Sequence, residues 1–157
     1  MAVMEDDGMP LEVLLVEDSP GDVRLTKEAF RNSGKPVRLH LAADGIEAMA
    51  FLRREGIHAD APRPDLILLD LNLPRMDGRE VLALIKTDQG LKMIPTIILT
   101  TSDNETDVQI SYQLQANCYL RKPAHWDAFD NLVRSINAFW LTRAKLPQPQ
   151  RQLQPNV

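Results

Sequence analysis

The sequence predicts an α/β fold built on a parallel sheet, and three observations carry that prediction. Short apolar runs alternate with helical patterns five times between Leu11 and Lys145. The run Leu66-Ile67-Leu68-Leu69 is apolar on both faces, as in a central parallel strand. The chain of 157 residues, 44% of them hydrophobic, has material for one packed core. Strands that alternate with helices imply a sheet covered on both faces, with right-handed crossovers.

Leu11 to Val16 reads as the first strand, and a helix follows from Pro20 to Asn32. Pro20 suits a first helical turn and Ser19 the N-cap before it. Val37 to Ala42 is the second strand and Asp44 to Arg54 the second helix. Asp65 to Asp70 is the third strand, and the third helix runs from Gly78 to Lys86. Pro95 to Leu99 is the fourth strand. Asp103 to Gln115 is helical but rather polar. Asn117 to Arg121 is the fifth strand. The last helix spans His125 to Lys145. Its residues Trp126, Phe129, Val133, Ile136 and Trp140 fall on alternating three- and four-residue steps, and Leu132 and Phe139 widen the stripe. Such a stripe faces the core, and part of it, Trp140 above all, is a candidate for packing on a second copy. Residues 1–10 read as a tail, 11–145 as the domain, and 146–157, rich in Pro and Gln, as a second tail.

Composition excludes several classes. The formal charge of −4 argues against broad nucleic-acid or anionic-membrane binding, since both need a basic surface. Cys118 is the one cysteine, so no internal disulfide forms and nothing points to an oxidising compartment. The N-terminus is acidic where a secretory signal is basic. No apolar run approaches the roughly 20 residues that span a bilayer. The expected location is the cytoplasm. His40, His58 and His125 are scattered and read as structural. Cys118 reads as a small buried apolar residue.

Ligands of parallel α/β sheets bind beyond the carboxyl ends of the strands. There the sequence puts Glu17 and Asp18 after the first strand and Asp70 at the end of the third. Thr100 and Thr101 follow the fourth, and Lys122 and Pro123 the fifth. Crowded carboxylates repel one another, and a hard divalent cation relieves that repulsion. Mg2+ suits one or two carboxylates, some waters and a phosphate oxygen. Asp70 could then attack a phosphoryl donor as a carboxylate nucleophile. Mg2+ and the Lys122 ammonium would neutralise charge in the transfer. The Thr100 hydroxyl can donate to a phosphoryl oxygen, and the Asn72 backbone carbonyl can reach the metal. Taken singly, each residue has a structural explanation as a cap, turn or loop. Four strand ends pointing to one chemistry do not.

These residues carry a family resemblance. Leu14-Leu15-Val16-Glu17-Asp18-Ser19, the stretch from Asp65 to Gly78, Thr100-Thr101-Ser102 and Tyr119-Leu120-Arg121-Lys122-Pro123 resemble the receiver domain of two-component signalling, over about residues 10 to 142. The resemblance implies a flavodoxin-like five-stranded parallel sheet in the order 2-1-3-4-5. It implies that Asp70 is the phosphoacceptor and that Glu17, Asp18, Asp70 and the Asn72 carbonyl hold Mg2+. Thr100 and Tyr119 would form the switch pair, and Lys122 would contact the phosphoryl group, with a cis peptide bond to Pro123. The protein would be a switch rather than an enzyme, catalysing only its own phosphorylation and dephosphorylation. More narrowly, Asp18-Ser19-Pro20-Gly21-Asp22, Ala43-Asp44-Gly45-Ile46-Glu47-Ala48, Ala61-Pro62-Arg63-Pro64 and Asn117-Cys118-Tyr119 resemble the single-domain regulators paired with phytochromes. That implies a phytochrome histidine kinase as phosphodonor and a homodimer through the helix 4, strand 5 and helix 5 region. Thr101 stands where many members carry alanine or glycine, and Glu17 where aspartate is also common.

The 35 residues after Lys122 suffice for one helix and a tail, so output is expected through protein contacts. Three rivals remain. A phosphohydrolase with an aspartyl-phosphate intermediate would want a second carboxylate where Asn72 stands. A flavin carrier would want a phosphate-cradling loop where Glu17 and Asp18 stand. A receiver that signals by docking alone would not need the acidic set.

Overall fold

The computed structural model describes residues 9–32 and 34–147; most of the two tails assigned above lies outside them. Five strands, β1 (Leu11–Val16), β2 (Val37–Ala42), β3 (Leu66–Leu69), β4 (Thr96–Thr100) and β5 (Cys118–Arg121), form one parallel sheet in the order β2-β1-β3-β4-β5. The helices are α1 (Pro20–Arg31), α2 (Gly45–Arg53), α3 (Gly78–Thr87), α4 (Glu105–Gln113) and α5 (Trp126–Ile136). A short 3-10 turn, Gly56–His58, was not anticipated.

The alternation of the strands divides the core into two layers. Leu14, Val16, Ile67, Leu69 and Ile98 face α2 and α3, where they meet Met49, Leu52, Val81, Leu82 and Ile85. Val13, Leu15, Leu66, Leu68 and Ile97 face α1 and α5, where they meet Ala29, Phe30, Phe129, Val133 and Ile136. Every residue of β3 and β4 is buried, as the double-sided apolar run predicts.

Caps begin the helices where polar residues precede apolar periodicity. The Ser19 side chain accepts from Asp22 N, that of Asp44 from Glu47 N, that of Asp77 from Arg79 N and that of Asn104 from Thr106 N. Gly78 opens α3 against the backbone of Asp70 and Leu71, and any Cβ there would run into the Asp70 carbonyl oxygen. That close approach holds the α3 N-terminus beside the end of β3.

The last helix differs from the expectation. The α-helix ends at Ile136 and continues as a π-helical segment, Asn137–Arg143. The five-residue step from Ile136 to Leu141 keeps both side chains buried. Asn137 is also buried, with its Oδ1 accepting from Lys35 N at 3.0 Å and its Nδ2 donating to Lys35 O at 3.1 Å. Trp126, assigned to the core stripe, is 58% exposed, because burial begins one turn later at Phe129. Phe139 is equally exposed and packs edge-on against the half-buried Trp140. Leu146, assigned to the tail, packs partly on the α1/α5 layer.

Two of the histidines, His40 and His58, pack against the same ring, that of Phe51. His40 Nε2 meets Glu12 Oε2 at 2.5 Å, His58 packs edge-on against Phe51, and His125 precedes α5. Cys118 is half-buried rather than buried, because β5 is an edge strand, and burial pushes its thiol up.

Candidate functional site

Residues that begin the loops after three strands are tied together at the carboxyl edge of the sheet. Glu17 N donates to Ala42 O at 3.0 Å, Asp70 N to Val16 O at 3.1 Å and Lys122 N to Thr100 O at 2.6 Å. Their side chains converge. Carboxylate oxygens of Glu17, Asp18 and Asp70 all lie within 4.8 Å of one another. Lys122 Nζ donates to Glu17 Oε2, to Asp70 Oδ2 at 3.0 Å and to Asp22 Oδ2 at 3.0 Å. An ammonium has three protons to give, and here each finds a carboxylate.

The cluster is mostly withdrawn from solvent. The Glu17 and Lys122 side chains are 3% and 4% exposed, Asp70 is 10% exposed and Asp22 32%. Asp18 is exposed. Burial pushes the Glu17 carboxyl up to about 7, against the pull of the Lys122 and Ser19 hydrogen bonds, and the Asp70 charge adds to the rise. Burial alone would lower Lys122. The hydrogen bond to Glu17 and the charges of Asp70 and Glu17 outweigh it and hold the ammonium above its usual range. One ammonium cannot neutralise four neighbouring carboxylates, Glu17, Asp18, Asp22 and Asp70. Such a crowded, oxygen-only donor set suits a hard divalent cation.

Backbone groups orient the acids. Ser19 N donates to Glu17 Oε1 at 3.0 Å, and Asn72 N to Asp70 Oδ1 at 3.2 Å. Asn72 itself is exposed, so it is its main chain that meets the cluster. On β4, between the strands that lead to Asp70 and Lys122, Thr100 is fully buried and its Oγ1 has no hydrogen-bond partner. A buried hydroxyl without a partner costs about 1–3 kcal/mol. Thr101 is exposed.

Tyr119 is half-buried on β5 and its hydroxyl donates to Ser102 O at 2.8 Å. Ser102 Oγ in turn donates to Asp107 Oδ2 at 2.7 Å, and Arg79 Nη2 donates to Asp107 Oδ1 at 2.6 Å. Tyr119 therefore belongs to a polar chain that fastens the β4–α4 loop, beside the carboxylate cluster and not in it. Burial, more than any neighbour, raises its hydroxyl pKa.

Glu17, Asp18, Asp70 and Lys122 thus come together as the sequence predicts. The Lys122–Pro123 bond does not follow the expectation: it is trans. Trans is the lower-energy isomer for X–Pro by about 0.5–1 kcal/mol. With Lys122 N anchored on Thr100 O, the ammonium reaches all its partners from that form. The residue that sequence reasoning missed is Asp22. Its signal was present: Asp22 falls in the first turn of the helix capped by Ser19, at the same sheet edge as Glu17 and Asp18.

Known proteins share both sequence and fold with this chain. The family described as the response regulator receiver domain matches residues 13–134. Response regulator Rcp1 of Synechocystis sp. is 50% identical over 145 residues, covering 92% of this chain and 99% of Rcp1. The crystal structure of the phosphorylated cyanobacterial phytochrome response regulator RcpA aligns with a TM-score of 0.87 at 51% identity, covering 89% of this chain and all of that one. The Mn2+-bound form of Rcp1 aligns with a TM-score of 0.85 at 50% identity, over 88% of this chain and all of that one.

Proposed function

The chain belongs to the response regulator receiver family, and from that premise we propose that it accepts a phosphoryl group on Asp70 with the help of Mg2+ and signals through protein contacts. The observation that carries this reading is the convergence of Glu17, Asp18, Asp70 and Lys122, beside a buried Thr100 hydroxyl that has no partner.

In the transfer, an Asp70 carboxylate oxygen forms a bond to phosphorus. The bond from phosphorus to the donor's leaving atom breaks, and that atom keeps the electron pair. Glu17, Asp18, Asp70 and the Asn72 carbonyl are the groups that would hold Mg2+, which supplies charge neutralisation at the phosphoryl oxygens. Lys122 donates to one of those oxygens. Thr100 donates to another, and its unpartnered hydroxyl supports that role. The Mn2+-bound Rcp1 and the phosphorylated RcpA support the same chemistry for this chain.

The donor is a histidine kinase, and the likeness to phytochrome response regulators favours a phytochrome, acting in the cytoplasm. The receiver occupies residues 11–145, and Leu146 just beyond it still packs on the α1/α5 layer. Once Thr100 turns to the phosphoryl group, the Tyr119 hydroxyl leaves Ser102 O and its ring follows inward, which loosens the β4–α4 loop. Output runs through α4, β5 and α5, where a second copy docks. Exposed Tyr112, Trp126 and Phe139 on α4 and α5 and the adjoining segment support that surface.

The test is incubation with acetyl phosphate and Mg2+, read by intact mass. The wild-type chain gains one phosphoryl group, and Asp70→Asn or added EDTA abolishes the gain. Equal labelling of Asp70→Asn would refute the assignment. Continuous release of phosphate with fast turnover would favour a phosphohydrolase. Thr101→Ala should change dephosphorylation or phosphotransfer more than Mg2+ affinity.

A further inference from the structure

Asp22 stands outside the group of carboxylates whose oxygens lie mutually close, which is Glu17, Asp18 and Asp70. Yet its Oδ2 accepts from Lys122 Nζ at 3.0 Å, the same distance as Asp70 Oδ2. Its main chain is fixed on both sides. Asp22 N donates to the capping Ser19 Oγ at 3.3 Å, and Asp22 O accepts from the buried Thr26 Oγ1 at 2.7 Å. Its side chain is about a third exposed, where Glu17 is nearly buried.

We infer that Asp22 is a positioning residue for phosphoryl capture: it holds the Lys122 ammonium in place while Glu17 and Asp70 turn to other partners. The inference rests on the proposed function. The Lys122 ammonium spends its protons on Glu17, Asp70 and Asp22. When Glu17 and Asp70 serve a divalent cation, they have less to offer the ammonium. When a phosphoryl group arrives, one Lys122 proton must go to it. A long, flexible lysine side chain released by two partners would lose its aim. Asp22 lies to one side of the metal-capable set and keeps its own contact.

The competing role is bulk electrostatics. Asp22 would then merely add negative charge, and its removal would help an anionic donor bind. The two roles separate in the kinetics. Asp22→Asn, measured at saturating Mg2+ across acetyl phosphate concentrations, should lower the limiting phosphorylation rate about tenfold, as loss of one charge-assisted contact implies. The donor concentration at half rate should stay the same or fall. Asp22→Glu, which restores the charge and the reach, should recover most of the rate. A second readout needs no donor. In Mg2+-loaded wild-type protein, the Lys122 ammonium protons should exchange slowly enough to be seen by nitrogen-15 NMR. In Asp22→Asn they should exchange too fast to be seen, with the urea midpoint unchanged. An unaltered limiting rate together with a persistent ammonium signal in Asp22→Asn would overturn the inference. If the wild-type chain takes no phosphoryl group, the functional reading falls and the inference with it. If it does and only Asp22→Asn behaves as wild type, the inference alone falls.

Discussion

Lys122 is the single cation touching Glu17, Asp22 and Asp70 among the described residues, and two of those three carboxylates are nearly buried. Removing it leaves buried negative charge without a partner, which costs about 3 kcal/mol or more. Lys122→Met should therefore lower the stability of the metal-free protein by about that amount in urea unfolding. Mg2+ should restore part of the loss, because a ligand that binds only the folded state stabilises it. Equal losses with and without Mg2+ would count against a cation site. Thr100→Val should do the opposite. It deletes a buried hydroxyl that has no partner, so the unphosphorylated protein should be as stable as wild type or more so. The phosphorylated form should lose its conformational response. Glu17, Asp18, Asp70 and Lys122 were legible in the sequence because each ends or follows an apolar run, and the sheet topology then fixes which edge they share. Asp22 was legible only through the Ser19 cap that begins α1, because its place depends on the first turn of that helix rather than on a strand end. The bareness of the Thr100 hydroxyl was hidden, since it depends on what the neighbouring strands do not offer.

Helix α4 is the least embedded of the five, with Ser111 as its one buried residue. Its N-terminus is tied down by polar contacts: Arg79 on α3 to Asp107, Ser102 to Asp107, and Tyr119 to Ser102. Arg79 and Ser102 hold the Asp107 carboxyl below the usual carboxylate range. A depressed folded-state pKa gives stability that is complete above the unfolded carboxylate value and is lost as pH falls through the folded one. The brace is thus in force at neutral pH and fails in acid. Arg79→Met should speed hydrogen exchange of the amides of residues 103–113 at pH 7 while barely moving the global unfolding midpoint. Protection that remains as in wild type would show that packing alone holds α4. The sequence marked α4 as polar, and that holds; of the wide apolar stripe in the last helix, Phe129, Val133 and Ile136 are buried while Trp126 and Phe139 are exposed. The sequence did not reveal the π-helical turn after Ile136, where Asn137 binds the main chain of Lys35, 102 positions away.

At the scale of the molecule, a sheet buried in two layers presents its chemistry at one edge and leaves a partly apolar surface along α4 and α5. Among the described residues no helix is long and apolar enough to cross a membrane. Phe139 and Trp126, each 58% exposed, lie on the last helical stretch. If a second copy covers this surface, Phe139→Asp should shift sedimentation toward the monomer and leave phosphorylation of Asp70 intact. A monomer at every concentration, phosphorylated or not, would contradict the dimer. Strand order and both core layers were readable from alternation and family resemblance together, because a parallel sheet with these connections has few alternatives. The proposed second-copy surface was suggested by excess width in a helical stripe and by the family resemblance. The most direct measurement is to phosphorylate the chain with acetyl phosphate and Mg2+, reduce the acyl phosphate with borohydride and map the reduced residue by tandem mass spectrometry. Reduction is expected at Asp70 alone. Reduction at Glu17, Asp18 or Asp22, or at no carboxylate, would contradict it.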